Sequence, residues 1–242
     1  MTRWRPLAPH ATVVALSDLE PLTRSAQERV DSLWTQACAQ DQSLFDGGVF
    51  SHRRLEEDPD GRVTIVEGRV VPYSWYFACR IDPELGVELG LWVMGVSGLL
   101  LCPDGAVAGR RSKTAIGAGD IELAPAGTIG RSDVIDGMVD VRRCILNELD
   151  EELGLTPGDL IGEPLPFAVI EDDVIRVADI GIRMSTRLGF AQIAAIHEQQ
   201  SCREYDELSL AGATGLGTRA LIPASRALID AADTLLGGTI PT

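Results

Sequence analysis

The sequence predicts an α+β fold, with a mixed β-sheet packed between helices. Apolar runs joined by tight-turn residues predict hairpins, and stretches with apolar residues at three- and four-residue steps predict two or three helices. A chain of 242 residues with 45% hydrophobic and 24% charged residues can bury a sizeable core. Because no internal repeat or low-complexity linker divides the sequence, we expect one large domain or one domain with an added segment.

The beginning of the chain predicts an additional N-terminal α/β segment. Runs with regular character occupy residues 11–16, 22–40, 63–71 and 73–81. The second run has one apolar stripe at helical spacing, and the other three are rich in β-formers. The first run ends at a polar break, and turn signals at residues 46–48 and 60–61 bound the last two. We therefore expect residues 1–88 to form an α/β segment that packs on a domain formed by residues 89–242.

The rest of the chain mixes strands and helices. Residues 89–112 predict a long apolar strand, a Pro-Asp-Gly turn and a second strand that ends at Arg110 and Arg111. Pro223 is placed to begin a final helix with apolar residues at 3.6-residue spacing and a Gly-Gly stop. Further strands are predicted within residues 121–127, 163–173, 174–186 and 190–196.

The stretch RRCILNELDEELGL, residues 142–155, predicts a helix with a strongly acidic face. Asp140 is a suitable N-cap and Gly154 a suitable end. Glu148, Glu151 and Glu152 stand at i, i+3 and i+4, so their side chains share one face. Spacing alone favours a solvated acidic face, but like charges so close together destabilise a helix and favour a compensating cation.

The segment ELDEELGL, residues 148–155, resembles the end of the Nudix box, and all eight positions match. The apolar trio at residues 144–146 stands where the helix of that family packs on its sheet, and GRRS and APAG precede the helix as in many Nudix sequences. The resemblance covers roughly residues 90–235 and implies a Nudix-type α/β/α sandwich. Parts of the N-terminal segment resemble the branch that contains a UDP-glucose pyrophosphatase.

The chain departs from the Nudix pattern at three places. The Arg that precedes the first Glu of the motif is replaced by Asn147, and the upstream Glu falls on Val139. The loop from Gly127 to the helix is longer than in the usual box. Since that Arg orients a Glu by a charge-assisted hydrogen bond, Asn147 offers only a weaker, neutral substitute.

The resemblance implies a divalent cation, Mg²⁺ or Mn²⁺, as the cofactor. Glu148, Glu151 and Glu152 are the implied metal ligands, with Glu148 and Glu151 also assigned to catalysis and Glu148 either a third ligand or the base that orients water. Glu204 is the expected further carboxylate of the catalytic site. Three cations are expected to contact substrate phosphate, namely Arg110, Arg111 and Lys113.

Two other groups are interpreted as structural. His197, beside the acidic stretch that contains Glu204, is expected to lie on the surface. The aromatic run of Trp75, Tyr76 and Phe77 is expected to belong to the core rather than to stack on a nucleobase.

The resulting functional prediction is a metal-dependent pyrophosphohydrolase. It cleaves a diphosphate linkage in a nucleoside diphosphate joined to another moiety, with UDP-sugar-like substrates favoured over nucleoside triphosphates and isoprenoid diphosphates. Two alternatives come from other classes. One is a catalytically impaired Nudix fold that serves as a ligand-binding or regulatory protein, and Asn147 and Val139 support it. The other is a purely acidic interaction surface.

Charge and composition limit the partners. A formal charge of −15 and a pI near 4.5 disfavour nucleic-acid binding, which needs a basic face. Five cysteines without a CxxC pair indicate neither a zinc site nor a disulfide framework. Because no apolar run suits a signal peptide or a membrane span, we expect a cytoplasmic protein with a small-molecule diphosphate as its partner and no membrane association. The sequence leaves both a monomer and a homodimer open.

Overall fold

The computed structural model describes residues 1–112, 117–200, 204–211 and 217–237. The strands within these ranges are β1 (Thr2–Leu16), β2 (Gly48–Glu57), β3 (Val63–Pro72), β4 (Val93–Cys102), β5 (Gly105–Arg111), β6 (Ile121–Leu123), β7 (Ala126–Thr128), β8 (Val134–Ile135), β9 (Met138–Val139), β10 (Leu165–Asp172), β11 (Val177–Ser185) and β12 (Tyr205–Ala211). The helices are α1 (Arg24–Gln40), α2 (Tyr73–Ile81), α3 (Pro83–Leu89), α4 (Val141–Leu153), α5 (Phe190–His197) and α6 (Pro223–Leu236).

The strands form one mixed sheet. Its main path runs β10-β11-β4-β2-β3-β1-β9-β8, and β1 also pairs with β10, so six strands form a closed circuit. β11 runs parallel to β4 and β1 runs parallel to β3, whereas the β10–β11 and β2–β3 pairs are antiparallel. β5 joins β4 through the predicted hairpin and carries β6 and β12. The predicted α+β class with a mixed sheet is confirmed, and the Nudix-type sandwich stays a prediction.

Helices cover both faces of the sheet around β5. Val107 packs into a core that contains Ile145 and Leu149 of α4. Its neighbours Ala106 and Ala108 pack into a second core with residues of α6. Because successive residues of a strand point to opposite faces, α4 and α6 lie on opposite sides of this part of the sheet.

Strands from residues 1–88 belong to the same sheet as those from residues 89–242. β1 pairs with β10 through its first residues and with β3 through the remainder. Leu7 and Phe50 share a buried core with Val96 and Ile145. The two ranges therefore share both hydrogen bonds and apolar packing, and a boundary at residue 88 stays a prediction.

Two segments expected to be strands are helices, so those predictions were wrong. In α2, the buried side chains are Ser74, Trp75 and Ala78, which is helical spacing. The Ser74 backbone N–H and hydroxyl donate to Asp46, at 2.8 and 3.0 Å, and hold the first turn. The aromatic content of this run favours strands, but tertiary packing overrides that preference. In α5, residues 193 and 197 are buried one turn apart, which a short apolar run does not reveal.

Three of the other four described helices agree with the sequence, and α3 was not predicted. α1, α4 and α6 form where the apolar periodicity predicts them, and Thr23 caps α1 by accepting from the Ala26 N–H at 3.2 Å. Among the residues described, no helix is both long and apolar enough to cross a membrane.

Candidate active site

A cavity of about 290 Å³ opens where β4, β7 and β11 meet the acidic helix α4. Its walls carry the carboxylates Glu122, Glu148, Asp179 and Glu204, and its one cation among the described lining residues is Arg111. The carboxylates come from four different parts of the chain, because the sheet brings β6, β11 and the start of β12 towards one side of α4. We call this cavity the inner lobe.

Helix α4 is fixed at both ends and along its apolar side. The Asp140 carboxylate accepts hydrogen bonds from the backbone N–H groups of Arg142 and Arg143 at 3.1 and 3.2 Å. Gly154 adopts φ 70°, the left-handed conformation that glycine adopts readily at a helix end. Ile145 and Leu149 are fully buried against the sheet. The acidic face therefore has one fixed orientation.

Gly127 allows the Glu148 carboxylate to approach the backbone of β7. A Cβ atom added at Gly127 would overlap both the carboxylate carbon and its oxygens. β7 is in turn held by antiparallel pairing with residues 95–97 of β4. The APAG segment thus forms a close-fitting wall for the first glutamate of the motif.

Glu152 lies one turn beyond Glu148 and is almost entirely buried, with 2% of its surface exposed. One oxygen accepts a hydrogen bond from the Ala126 N–H at 2.9 Å. The other, Oε1, is buried and has no hydrogen-bond partner among the described residues. Burial, followed by the charge of Glu204, raises the pKa of Glu152 well above its usual value.

The pKa of Glu148 is raised to about 7. Burial is the largest cause, and the nearby charges of Glu151 and Glu204 add to it. The site therefore brings together carboxylates that repel one another in a partly dehydrated space. Such a site favours a bound cation.

Arg111 connects two carboxylates of the inner lobe. Its guanidinium donates to both Glu122 and Glu204. Glu122 also accepts from the Tyr205 hydroxyl at 3.2 Å. Burial raises the pKa of Glu122, while the charge of Arg111 opposes that rise. The backbone carbonyl of Glu204 accepts from the Ser112 N–H at 2.8 Å, which places Glu204 beside the end of β5.

Sequence reasoning missed two carboxylates of the site, Glu122 and Asp179. Asp179 accepts from the Ser97 hydroxyl at 2.9 Å, and burial raises its pKa to about 6. Both residues interrupt otherwise apolar strands, in the runs IEL and VADIGI. A carboxylate in a buried strand needs a partner, and that pattern was the available signal.

The predicted site residues divide into two groups. Glu148, Glu204 and Arg111 line the inner lobe, and Glu152 lies behind Glu148. Glu151 is exposed to solvent beside them. Arg110 is exposed, with contacts to Glu207 at 3.5 Å and to the Gly119 carbonyl at 3.3 Å. Lys113 lies outside the described residues.

In the part of the chain that the structure describes, no three His, Cys, Asp or Glu side chains converge into a ready metal-binding group. The assignment of Glu148, Glu151 and Glu152 as ligands stays a prediction. The motif departures lie away from the inner lobe: Asn147 is exposed, and Val139 is buried in β9 opposite Val13.

His197 is not a surface residue, so that interpretation was wrong. Only 3% of the residue is exposed. Its Nδ1 lies 2.9 Å from the Glu152 carbonyl and its Nε2 lies 3.1 Å from the Tyr205 carbonyl. The imidazole therefore links the end of α4 to the start of β12, and its role is structural. Trp75 is buried in the core as expected, whereas Tyr76 lines the inner lobe.

Comparisons with known proteins give only distant similarities. No protein-family model matches the sequence. No curated protein matches it either. Among solved structures, the protein DR0079 from Deinococcus radiodurans is 15% identical, with a TM-score of 0.32 over 40% of this chain and 59% of that one.

A bifunctional NMN adenylyltransferase/ADP ribose pyrophosphatase from Francisella tularensis is 13% identical, with a TM-score of 0.38. The match covers 66% of this chain and 47% of that one, and the same enzyme complexed with AMP and a manganese ion gives the same TM-score with 48% covered. The chain thus spans about half the length of that enzyme. These TM-scores are too low to assign an activity, and neither protein is named as a UDP-sugar enzyme.

Proposed function

We propose that this protein is a Nudix-type pyrophosphohydrolase that uses Mg²⁺ or Mn²⁺ to cleave the diphosphate linkage of a nucleoside diphosphate joined to another moiety. One observation carries the proposal. Glu148 and Glu152 lie on successive turns of a capped helix, and both are held against the β7 backbone. Their positions match the first and last glutamates of the ELDEELGL motif.

The side chains at the site fit a hard divalent cation. All the candidate ligands are carboxylate oxygens, which Mg²⁺ and Mn²⁺ prefer. The unpartnered, buried Oε1 of Glu152 supports the fit, because a buried carboxylate oxygen without a donor is costly. We propose Glu148, Glu151 and Glu152 as the ligands. A divalent cation bound there would neutralise diphosphate oxygens and lower the pKa of a coordinated water.

The chain's own residues have distinct proposed roles in hydrolysis. Glu148, with a pKa near 7 in the metal-free state, is suited to orient the attacking water or to accept its proton. Glu204 lies across the lobe as a second candidate for that role. Arg111 is positioned to donate to phosphate oxygens in exchange for part of its contact with Glu122 and Glu204. Arg110, near the end of β5, remains a proposed phosphate contact, and so does Lys113.

Water attacks one phosphorus of the diphosphate and the bridging P–O bond breaks, giving two phosphate monoesters. The products are therefore a nucleoside monophosphate and the phosphate ester of the other moiety. A neutral or cationic substrate without phosphate would offer nothing to the cation.

The test is hydrolysis by the wild-type protein across a panel of diphosphates. The panel contains UDP-glucose, ADP-ribose, a nucleoside triphosphate and an isoprenoid diphosphate, each with Mg²⁺ and with a chelator. We expect Mg²⁺-dependent release of a nucleoside monophosphate from at least one sugar nucleotide, measured by chromatography. Absence of Mg²⁺-dependent cleavage across the whole panel would contradict the proposal.

A second candidate is a binding protein that uses the same cleft without turnover. It is favoured by the replacement of the motif Arg by Asn147, whose exposed side chain forms no hydrogen bond with the described residues. This candidate predicts Mg²⁺-dependent binding of a nucleotide by calorimetry in the absence of any product. Calorimetry and chromatography on the same sample separate the two functions.

A further inference from the structure

The cleft continues outward from the carboxylates. A second cavity, of about 340 Å³, shares Tyr76, Glu122 and Asp179 with the inner lobe. A third, of about 140 Å³, shares Tyr76, Arg80 and Ile175 with the second. We call these two cavities together the outer lobe. Tyr76 lines all three cavities and therefore stands where the inner and outer lobes meet.

One helix supplies the most distinctive part of the outer lobe. Tyr73, Tyr76 and Arg80 of α2 are spaced at i, i+3 and i+7, which places them along one face. This face exists because residues 73–81 form a helix. In a strand, Tyr73 and Tyr76 would point to opposite sides.

The aromatic side chains of α2 support one another. The ring of Tyr73 lies 5.9 Å from that of Tyr76 and 5.9 Å from that of Trp34, both in edge-on arrangements. Phe77 packs edge-on against Trp34 at 5.6 Å and does not line the outer lobe. The Tyr76 side chain is thus held in place before a ligand binds. Stacking of a planar ligand on it would therefore cost little side-chain entropy.

The polar groups of this face are available to a ligand. Arg80 is exposed, and no ion pair joins it to any described residue. By contrast, Arg29 on the neighbouring helix α1 is paired with Asp82 and Glu88. Burial raises the pKa of both Tyr73 and Tyr76, and the nearby charge of Arg80 opposes that rise. Arg80 follows Tyr76 by four residues on the same face of α2, so a guanidinium lies beside the phenol rings in the outer lobe.

From these contacts we infer that the outer lobe is the subsite for the nucleoside half of the substrate, with the base stacked on Tyr76 and Arg80 donating hydrogen bonds to its acceptor atoms. The inference rests on the proposed function, which places the diphosphate in the inner lobe. A planar, polar base matches a wall of phenol rings and a guanidinium. An isoprenoid chain would leave Arg80, Asp120 and Asp172 facing apolar carbon.

The test compares binding of uridine and adenosine monophosphates with binding of inorganic phosphate, by calorimetry in Mg²⁺. The quantity measured is the ratio of the two dissociation constants, phosphate over nucleotide. We expect Tyr76→Ala to lower this ratio about tenfold, the effect of roughly 1.4 kcal/mol of lost stacking. Tyr76→Phe keeps the ring and should lower it by less than about threefold. Arg80→Ala should lower the ratio by about threefold or more.

Phe77→Ala is the matched control, because Phe77 is the adjacent aromatic on the same helix and does not line the outer lobe. Its ring packs on Trp34 and, with centroids 6.4 Å apart, on Tyr73. Phe77→Ala should keep the wild-type ratio, and thermal melting of every variant checks that α2 remains folded. A wild-type protein that binds both nucleotides no more tightly than phosphate would overturn the inference. So would a Tyr76→Ala ratio equal to that of the wild type.

The outcome is distinguishable from failure of the proposed function. If the protein hydrolyses a diphosphate with Mg²⁺ but Tyr76→Ala leaves the ratio of dissociation constants unchanged, the proposed hydrolase function stands. The nucleoside subsite is then overturned. Nucleotide binding that depends on Tyr76, without hydrolysis of any diphosphate, would retain the subsite and leave the cleft as a binding module.

Discussion

The inner and outer lobes of the cleft adjoin at Tyr76 but differ in chemistry. Carboxylates from three elements and from the residue that precedes β12 crowd the inner lobe, and Arg111 is the one cation among its described lining residues. The outer lobe shares Arg111, Glu122 and Asp179 with the inner lobe and has two further carboxylates, Asp120 and Asp172. What distinguishes it is a wall of phenol rings and aliphatic side chains, with Arg80 free of any described ion pair. The first arrangement suits a cation and a diphosphate, and the second suits the organic group attached to that diphosphate.

The difference also concerns how each lobe is built. The inner lobe depends on close backbone approach: a Cβ on Gly95 would lie 2.7 Å from Asp179, and one on Gly127 would overlap Glu148. The outer lobe depends on the side chains of a single helix. We therefore expect substitutions in the inner lobe to affect turnover strongly, and substitutions in the outer lobe to affect selectivity among substrates.

The largest expected effect is that of Glu152→Gln on turnover. The change keeps the shape and the acceptor for the Ala126 N–H but removes the charge, so kcat should fall about 10³-fold. Asp150→Asn, an exposed carboxylate on the same helix, is the matched control and should stay within about threefold of the wild type. Steady-state kinetics on the best substrate of the panel makes the comparison. Equal losses in both variants would mean that total helix charge matters, not the inner lobe.

Gly127→Ala should have the next largest effect. The new Cβ displaces the Glu148 carboxylate, and displacement of a catalytic group by about 1 Å costs roughly 10² in rate. Because the displaced group is the end of a side chain rather than backbone, the melting temperature should change little. Gly130→Ala is the control, since its nearest neighbour would lie at 3.6 Å and its φ of −97° suits alanine. A large fall in melting temperature in Gly127→Ala alone would indicate a purely structural role.

The raised pKa of Glu148 predicts a pH-dependent difference in stability between the metal-free wild type and Glu148→Gln. A carboxyl whose folded pKa is about 7 contributes stability that is present below about pH 4.5 and lost as pH rises through 7. Glu148→Gln should therefore melt higher than the wild type at pH 8, by roughly 2–4 °C, and the gap should close towards pH 5.

Comparing the melting temperatures of the two proteins at the same pH cancels the contributions of all other titratable groups. Burial lowers the pKa of His52 to about 4, and its opposite effect on stability is common to both proteins. Mg²⁺ should raise the melting temperature of the wild type at pH 8 more than that of Glu148→Gln. A gap that widens towards acid pH would show that Glu148 is a charged, well-solvated group.

The smallest expected effect is that of Arg110→Ala. Arg110 is exposed, and its contact with Glu207 at 3.5 Å is a surface pair, so the free energy of unfolding should change by less than about 0.5 kcal/mol. Because this proposed phosphate contact lies at the exposed end of β5 rather than in the inner lobe, its loss should raise KM by only about threefold, with kcat unchanged. An unchanged KM would remove Arg110 from the proposed phosphate contacts.

The acidic helix was predictable because its information is local. Asp140, Gly154 and the apolar positions between them specify α4 without reference to the rest of the chain, and the structure confirms its N-cap and its end. α2 lacks such local signals: its N-cap residue, Pro72, provides no capping side chain, and its aromatic residues favour strands. Its helical form depends on packing with α1 and on the contact between Ser74 and Asp46.

The composition of the site was only partly predictable for the same reason. Glu148 and Glu152 share one helix, so their spacing places them together. Glu122 and Asp179 belong to strands that reach the cleft through long-range pairing, of β6 with β5 and of β11 with β4. The spacing of residues within a strand does not indicate which other strands will pair with it. Arg111 shows a further limit, since its pairing with Glu122 and Glu204 depends on three separate segments.

The central claim is that the inner carboxylates bind a divalent cation. Titration of Mn²⁺ followed by electron paramagnetic resonance measures this directly, using the wild type, Glu152→Gln and Asp150→Asn. The account predicts binding by the wild type and Asp150→Asn and a loss of at least about tenfold in affinity in Glu152→Gln. Equal Mn²⁺ affinity in all three proteins, or no binding by the wild type, would contradict it.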